Sequence, residues 1–238
     1  NDLLARLDHA LKAERQFIAD ASHELRTPMT ALQLQVDLLE TAASEEERVE
    51  LLSDIKQGVG RTRRLIEQIL TMAWLDPDNS SDLAHIRLDE FIKGIHEEFI
   101  PVASIKSIQF TIKVTSPATV IGEPTSLRAL LRNLIDNALR YTPEHGTVAI
   151  SIESNPAGAH LAISDSGPGI PQDMRSKVFA RFYRGDNASE TTGTGLGLAI
   201  AKRAAERLGA QLQLLDVPDG TGLTVLIRFP KPAGDTQT

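Results

Sequence analysis

His23 stands at a position that suits reactivity better than packing. Leu4, Leu11, Ile18, Leu25, Leu32 and Leu39 recur every seven residues, which marks the seam of a long helix packed against partner helices. With Ile18 as the first seam position, His23 occupies the outermost slot of the repeat and faces water. An imidazole nitrogen that carries no proton offers a lone pair and can act as a nucleophile. Glu24 follows it, and Thr27 stands one turn on, on the same face. Pro28 removes a backbone donor just beyond, so a bend is expected there. Together these residues describe a reactive surface offered to something large.

Three further clusters place polar residues or glycines where packing would ask for core. Asn133 and Asn137 are an i, i+4 pair on an otherwise apolar helix. Amide oxygens suit a hard cation such as Mg²⁺, which keeps several waters and leans on substrate phosphates. A surface pair or a hydrogen-bonded core pair is the alternative. Asp165-Ser166-Gly167-Pro168-Gly169-Ile170 follows an expected strand. Glycines there let the backbone turn sharply and approach a ligand, and Asp165 could accept from an exocyclic amine. An ordinary turn is the alternative. Gly193-Thr194-Gly195-Leu196-Gly197-Leu198 opens an expected helix, whose first amides favour phosphate. It is not a Walker loop and does not follow a strand, so a glycine-rich hinge is equally compatible. Between the last two clusters, Pro171–Thr192 reads as a short apolar helix (Val178, Phe179, Phe182) followed by a polar stretch, Arg184–Thr192, of the kind that forms lids.

The elements that must carry these groups follow from composition and periodicity. The chain has 238 residues, 41% of them hydrophobic, a net charge of −7 and no cysteine. The charge argues against a dedicated nucleic-acid binder. The missing cysteines exclude disulfides and thiolate metal sites. No run of about 18 apolar residues exists to span a membrane. The first residue is Asn, so the chain reads as a fragment of a longer one. Residues 1 to 75 read as two helices, the second with Leu52, Ile55, Val59, Ile66, Ile69 and Ala73 on its stripe. Ser44 with Glu47 forms a capping box at its start. Two apolar stripes exceed what two helices can bury, so pairing of two hairpins into a four-helix bundle, a homodimer, is expected.

Asp76–Asp82 reads as a linker. Helices are then expected at Leu88–Phe99, Thr125–Tyr141 and Gly195–Leu208, and strands at Ser107–Thr115, Thr147–Glu153, His160–Ser164, Gln211–Asp216 and Thr224–Phe229. The last two would form a hairpin around Pro218-Asp219-Gly220, and the tail after Pro230 reads as disordered. The fold class is therefore an antiparallel helical hairpin forming a dimeric bundle, residues 1–76. An α/β sandwich with a mixed sheet follows, residues 83–231. His9, His85, His96, His145 and His160 show no metal-ligand spacing and read as surface or turn residues.

The order of these motifs resembles the cytoplasmic core of sensor histidine kinases of two-component signalling. FIADASHELRTPMTAL resembles the family's phosphoacceptor box, LRNLIDNALRYT its asparagine box, and DSGPGI and GTGLGLAI its two glycine boxes. VFARFYRG lies where the phenylalanine box belongs. The resemblance covers nearly the whole chain. It implies an ATP-dependent kinase in which His23 takes the γ-phosphoryl group through a ring nitrogen. Glu24 would orient the ring and take its proton, and Thr27 would position water in dephosphorylation of the partner. Asn133 and Asn137 would hold Mg²⁺. Arg140, where many relatives carry Lys, would reach the phosphates, and Tyr141 would pack on adenine. Asp165 would accept from the adenine amine, with Gly167 and Gly169 allowing close approach. Gly193, Gly195, Gly197 and Leu198 would border the phosphates under a closing lid. The implied partners are a second copy of the chain and a response regulator, with membrane anchoring through parts absent here. A nucleotide-binding adaptor and a chaperone- or repair-type ATPase are the rival readings. Neither has a use for an exposed His-Glu pair on a helical stalk.

Overall fold

Helix α1 spans Asp2–Thr41 without interruption, Pro28 included, in the computed structural model of the chain. Residues 2–75, 82–184, 193–217 and 220–231 are described. Most of the expected linker, the polar stretch beyond Arg184, the tip of the last hairpin and most of the C-terminal tail lie outside them. Proline at position 28 has no N–H for the carbonyl of Glu24, four residues back. On either side, hydroxyls bond back to carbonyls one turn earlier: Ser22 to Ile18 at 2.7 Å, Thr27 to His23 at 3.4 Å and Thr30 to Arg26 at 3.0 Å. Such bonds compete with the helix ladder and soften it.

Helix α2 spans Glu45–Trp74. The Ser44 hydroxyl accepts from the Glu47 amide at 3.1 Å, and the Glu47 carboxylate accepts from the Ala43 amide at 2.8 Å. The carboxylate thus reaches one residue beyond the cap itself, a variant of the expected box. Gly58 lets the two helices approach closely, since a Cβ there would stand 2.7 Å from Leu32 Cδ2. Much of the apolar seam stays uncovered in the single chain: Leu4 is 68% exposed, Ile18 58% and Val59 52%. The chain divides into two compact units, Asn1–Thr71 and Met72–Thr238.

The second unit contains two strands that the sequence did not announce, β1 (Ala84–Arg87) and β3 (Thr119–Gly122), paired antiparallel. Four residues are too few to display a period. Between them, helix α3 covers Leu88–Ile105, continuing past Phe99 and through Pro101. The five-stranded sheet uses β2 (Gln109–Val114), β4 (Thr147–Asn155), β5 (Gly158–Asp165), β6 (Gln211–Asp216) and β7 (Leu223–Pro230) in the order β2-β4-β5-β7-β6. β2 and β4 run parallel and the other pairs antiparallel, so the sheet is mixed. The parallel pair requires a crossover, and helix α4 (Pro124–Tyr141) supplies it.

Along β4, Val148, Ile150 and Ile152 are buried while Ala149, Ser151 and Glu153 are exposed. That alternation means one sheet face is covered and the other is open. Leu127, Leu130, Leu131, Leu134 and Ile135 of α4 are buried to 2% exposure or less. Helix α5 (Gly197–Arg207) packs with α4 and buries the small residues Ala199, Ala201, Ala204 and Ala205.

The expected apolar helix at Val178–Phe182 is not a helix. A 3₁₀ turn at Gln172–Met174 leads into a chain of overlapping turns. Phe182 adopts φ 59°, a left-handed conformation that α-helices do not continue through.

Candidate functional site

Asn133, Asn137 and Arg140 share one face of α4 by spacing, and Tyr141 follows at its end. Asn133 Nδ2 donates to the Ala129 carbonyl at 2.8 Å, which leaves the amide oxygen as the acceptor of that group. Arg140 Nη2 donates to Asp136 Oδ2 at 2.5 Å. The end of the helix is held from outside. Lys106, just past α3, donates from its ammonium to the carbonyls of Leu139 at 3.1 Å, Arg140 at 2.7 Å and Thr142 at 3.0 Å. A cation at this end satisfies orphan carbonyls and complements the helix dipole.

The exit of β5 approaches this helix end. Gly167 N–H donates to Asp165 Oδ1 at 2.8 Å, closing a turn that a side chain would obstruct. A Cβ on Gly167 would stand 3.0 Å from the Tyr141 carbonyl oxygen. Gly169 has φ 73° and Gly222 φ 149°. A Cβ on Gly222 would lie 2.1 Å from the Asp165 carbonyl oxygen, so two backbones pass in contact there. Burial pushes the Asp165 carboxyl above its ordinary range, against the opposing pull of amides from Gly167 and Leu223. Arg175 ties the turn to the sheet edge, donating to the carbonyls of Ile170 at 3.0 Å and Leu214 at 3.4 Å and pairing with Asp216.

The third cluster reaches the same place. A Cβ on Gly193 would stand 3.3 Å from Arg140 Nη1 and 3.5 Å from Tyr141 Oη. One on Gly197 would stand 3.1 Å from the Asn137 amide. Gly195, at φ 69°, abuts the backbone of Phe182. Leu198 is half-buried in the first turn of α5. Three segments far apart in sequence thus converge on one rim: the end of α4, the exit of β5 and the start of α5. Asn133 lies one turn back from it. On the hairpin, His23, Glu24 and Thr27 are all exposed.

Sequence reasoning passed over three residues that the geometry singles out. Asp136 was legible as the i, i+4 partner of Arg140. Lys106 was not, because its partners lie 33 to 36 residues away. Gly222 was one glycine of a hairpin until its contact with Asp165 appeared. Among the described residues no group of three or more His, Cys, Asp or Glu could hold a metal ion. The amide oxygens of α4 fit only a hard cation that takes its other ligands from water and phosphate.

A family model described as His Kinase A (phospho-acceptor) domain matches residues 13–78. A second, described as Histidine kinase-, DNA gyrase B-, and HSP90-like ATPase, matches residues 122–233. The chain also aligns at 32% identity with a solved mycobacterial sensor histidine kinase, MprB, over 97% of that solved chain and 63% of this one, with a TM-score of 0.55. The chain belongs to the sensor histidine kinases. The swarming motility regulation sensor protein RssA of Serratia marcescens is 34% identical over 97% of this chain and 50% of its own length. Sensor protein kinase PmrB of Pseudomonas aeruginosa is 35% identical over 99% of this chain and 49% of its own. This sensor histidine kinase chain therefore spans about half the length of those relatives. In fold it also matches the histidine kinase ThkA solved in complex with response regulator protein TrrA, at a TM-score of 0.77 and 20% identity, over 97% of this chain and 67% of that one. Among the described residues no helix is long and apolar enough to cross a membrane.

The Asp165 carboxyl, pushed up by burial, gives this rim a testable pH signature. A ligand amine that donates to the carboxylate favours its ionised form, so binding lowers the pKa. Affinity is then full above the raised pKa of the free protein and falls as pH drops through it. The fall begins at a higher pH than an ordinary aspartate would give. Titration calorimetry with ADP, from about pH 8 to about pH 4.5, bracketing ordinary carboxylate values, should show this slope. Asp165→Asn should bind more weakly with a flatter profile, and an equal slope in that variant would assign the effect elsewhere.

Proposed function

We propose that this chain is the catalytic core of a sensor histidine kinase that transfers the γ-phosphoryl group of ATP to His23 and then to an aspartate of a response regulator. The observation that carries the reading is the convergence of Asn137, Arg140, Tyr141, Asp165 and the glycines at 193 and 197 on one rim, in a chain that also exposes His23. Residues 1–76 serve as the dimerisation and phosphotransfer domain and 83–231 as the ATP-binding domain. The uncovered seam of α1 and α2 supports a homodimer, since exposed Leu, Ile and Val at heptad spacing call for partner helices.

In the proposed reaction a lone pair on the His23 ring attacks the γ-phosphorus and the bond to the β-phosphate oxygen breaks, releasing ADP. Glu24 orients the ring and takes its proton. Phosphoryl transfer needs positioning and charge neutralisation more than covalent help. Amides at the start of α5 and the Arg140 guanidinium face the phosphates, while Asp165 accepts from the adenine amine and Tyr141 packs on the ring. Asn137, with Asn133, would hold Mg²⁺, which would supply neutralisation of phosphate charge. The P–N bond formed on His23 is then broken by a carboxylate of the regulator. Thr27 positions water for a phosphatase reaction on that regulator. The complex of ThkA with TrrA supports a regulator of this kind as the partner. Membrane anchoring through a further part of the full-length protein is proposed from the sensor relatives.

Incubation with γ-labelled Mg-ATP tests the reading. Label that is acid-labile and alkali-stable, and that moves onto an added receiver domain, is the expected result. Steady hydrolysis without label on the chain would replace the kinase with an ATPase, and binding alone would make it an adaptor.

A further inference from the structure

Arg140 is engaged by a carboxylate through one nitrogen and borders Gly193 with another. Its Nη2 donates to Asp136 Oδ2 at 2.5 Å, and its Nη1 lies 3.3 Å from where a Gly193 Cβ would stand. The pair is well covered, with side chains 21% exposed for Arg140 and 33% for Asp136. Partly covered charges are screened less than those on an open surface, so their coupling is felt. A guanidinium grips phosphate best through two parallel donors, and the Nη2 donor held by Asp136 is withheld from such a fork. Asp136 also brings its own negative charge to the helix face where the phosphates are proposed to lie. It sits beside Asn137 and one turn before Arg140.

We propose that Asp136 is a positioning residue that competes with nucleotide phosphates for Arg140. The inference rests on the reading that Arg140 meets those phosphates. Asp136 holds the guanidinium at the rim when no nucleotide is bound and must yield it when phosphate arrives. The cost of that exchange weakens nucleotide affinity and keeps the site exchangeable. The consequence runs against intuition: removing a charged, hydrogen-bonded residue from the site should tighten binding.

The test is calorimetric affinity for ADP, for a non-hydrolysable ATP analogue and for adenosine, with and without Mg²⁺. Asp136→Asn should bind the analogue about three- to tenfold more tightly than the parent, the range expected for a partly covered charge coupling. ADP should follow by less, and adenosine should not change. The gain should appear with and without Mg²⁺, and should vanish in an Arg140→Gln background, because the effect runs through Arg140. A residue that only stabilised the helix would move the melting temperature and leave this phosphate-dependent pattern untouched. Weaker analogue binding in Asp136→Asn overturns the proposal and makes Asp136 a holder of Arg140 or of the cation. A gain that survives in Arg140→Gln also overturns it, reducing Asp136 to simple repulsion. If Arg140→Gln by itself binds the analogue as the parent does, the phosphate role of Arg140 fails first and the competition with it.

Discussion

Replacing His23 with Gln should abolish acid-labile label from γ-labelled ATP while nucleotide affinity stays at the parent value. The two parts of this expectation come from different units of the chain. His23 is exposed on α1, so its loss costs little stability, within about 0.5 kcal/mol for an ordinary surface substitution. Gln fits the helix and keeps a polar side chain there. It lacks a nucleophilic ring nitrogen, so label should fall by about two orders of magnitude or more, the loss expected when a covalent nucleophile goes. The rim formed by α4, β5 and α5 belongs to the second unit, whereas His23 belongs to the first. Calorimetry with ADP should therefore report an unchanged dissociation constant. The neighbouring hydroxyls of Ser22 and Thr27 are the competing acceptors, and they would give acid-stable phosphoesters. Acid-labile label persisting in His23→Gln would falsify the assignment of the phosphoacceptor.

Gly195→Ala should cut nucleotide affinity at least tenfold without unfolding the domain. Gly195 sits at φ 69°, where a side chain costs roughly 1 kcal/mol or more. Steric overlap adds to that strain. The new Cβ would stand 2.6 Å from the carbonyl carbon of Phe182, 2.8 Å from its Cα and 2.8 Å from the Tyr183 oxygen. These are backbone atoms and cannot swing aside as a side-chain end can. Phe182 is itself left-handed at φ 59°, so both partners in the contact are already constrained. Relief requires the Phe182–Tyr183 turn and the start of α5 to separate, which carries Gly193 and Gly197 away from Arg140 and Asn137. The sheet and the buried faces of α4 and α5 are not involved, so circular dichroism should keep the parent spectrum. Gly220→Ala is the control, since a Cβ there meets nothing within 4 Å. Gly195→Ala binding ADP as tightly as Gly220→Ala would mean that this contact does not shape the site.

The clearest matches between sequence and structure are those with local causes. The seven-residue recurrence and the Ser44 cap mark the two hairpin helices because periodicity and capping act within a few residues. The Asn pair and both glycine runs were legible as unusual because glycines and amides break an apolar pattern. Less was visible where the cause is distant. β1 and β3 are strands because they pair with each other across α3, not because four residues declare it. The Val178–Phe182 stretch has the apolar spacing of a helix, yet its backbone turns left-handed at Phe182, where the Gly195 backbone comes into contact.

By itself, then, the chain determined what kinds of groups are available. An imidazole is turned outward on a heptad helix, amides and a guanidinium line one helix face, and glycines follow a strand and precede a helix. These follow from residue type and short-range geometry. Only the tertiary structure decided that Asn137 meets Gly197, that Arg140 stands between Asp136 and Gly193, that Lys106 anchors the end of α4 and that Gly222 backs onto Asp165. Each of these contacts but the Asp136–Arg140 pair joins segments dozens of residues apart. They form because burying the apolar faces of α4, α5 and the sheet against one another leaves the ends of those elements no other place to lie.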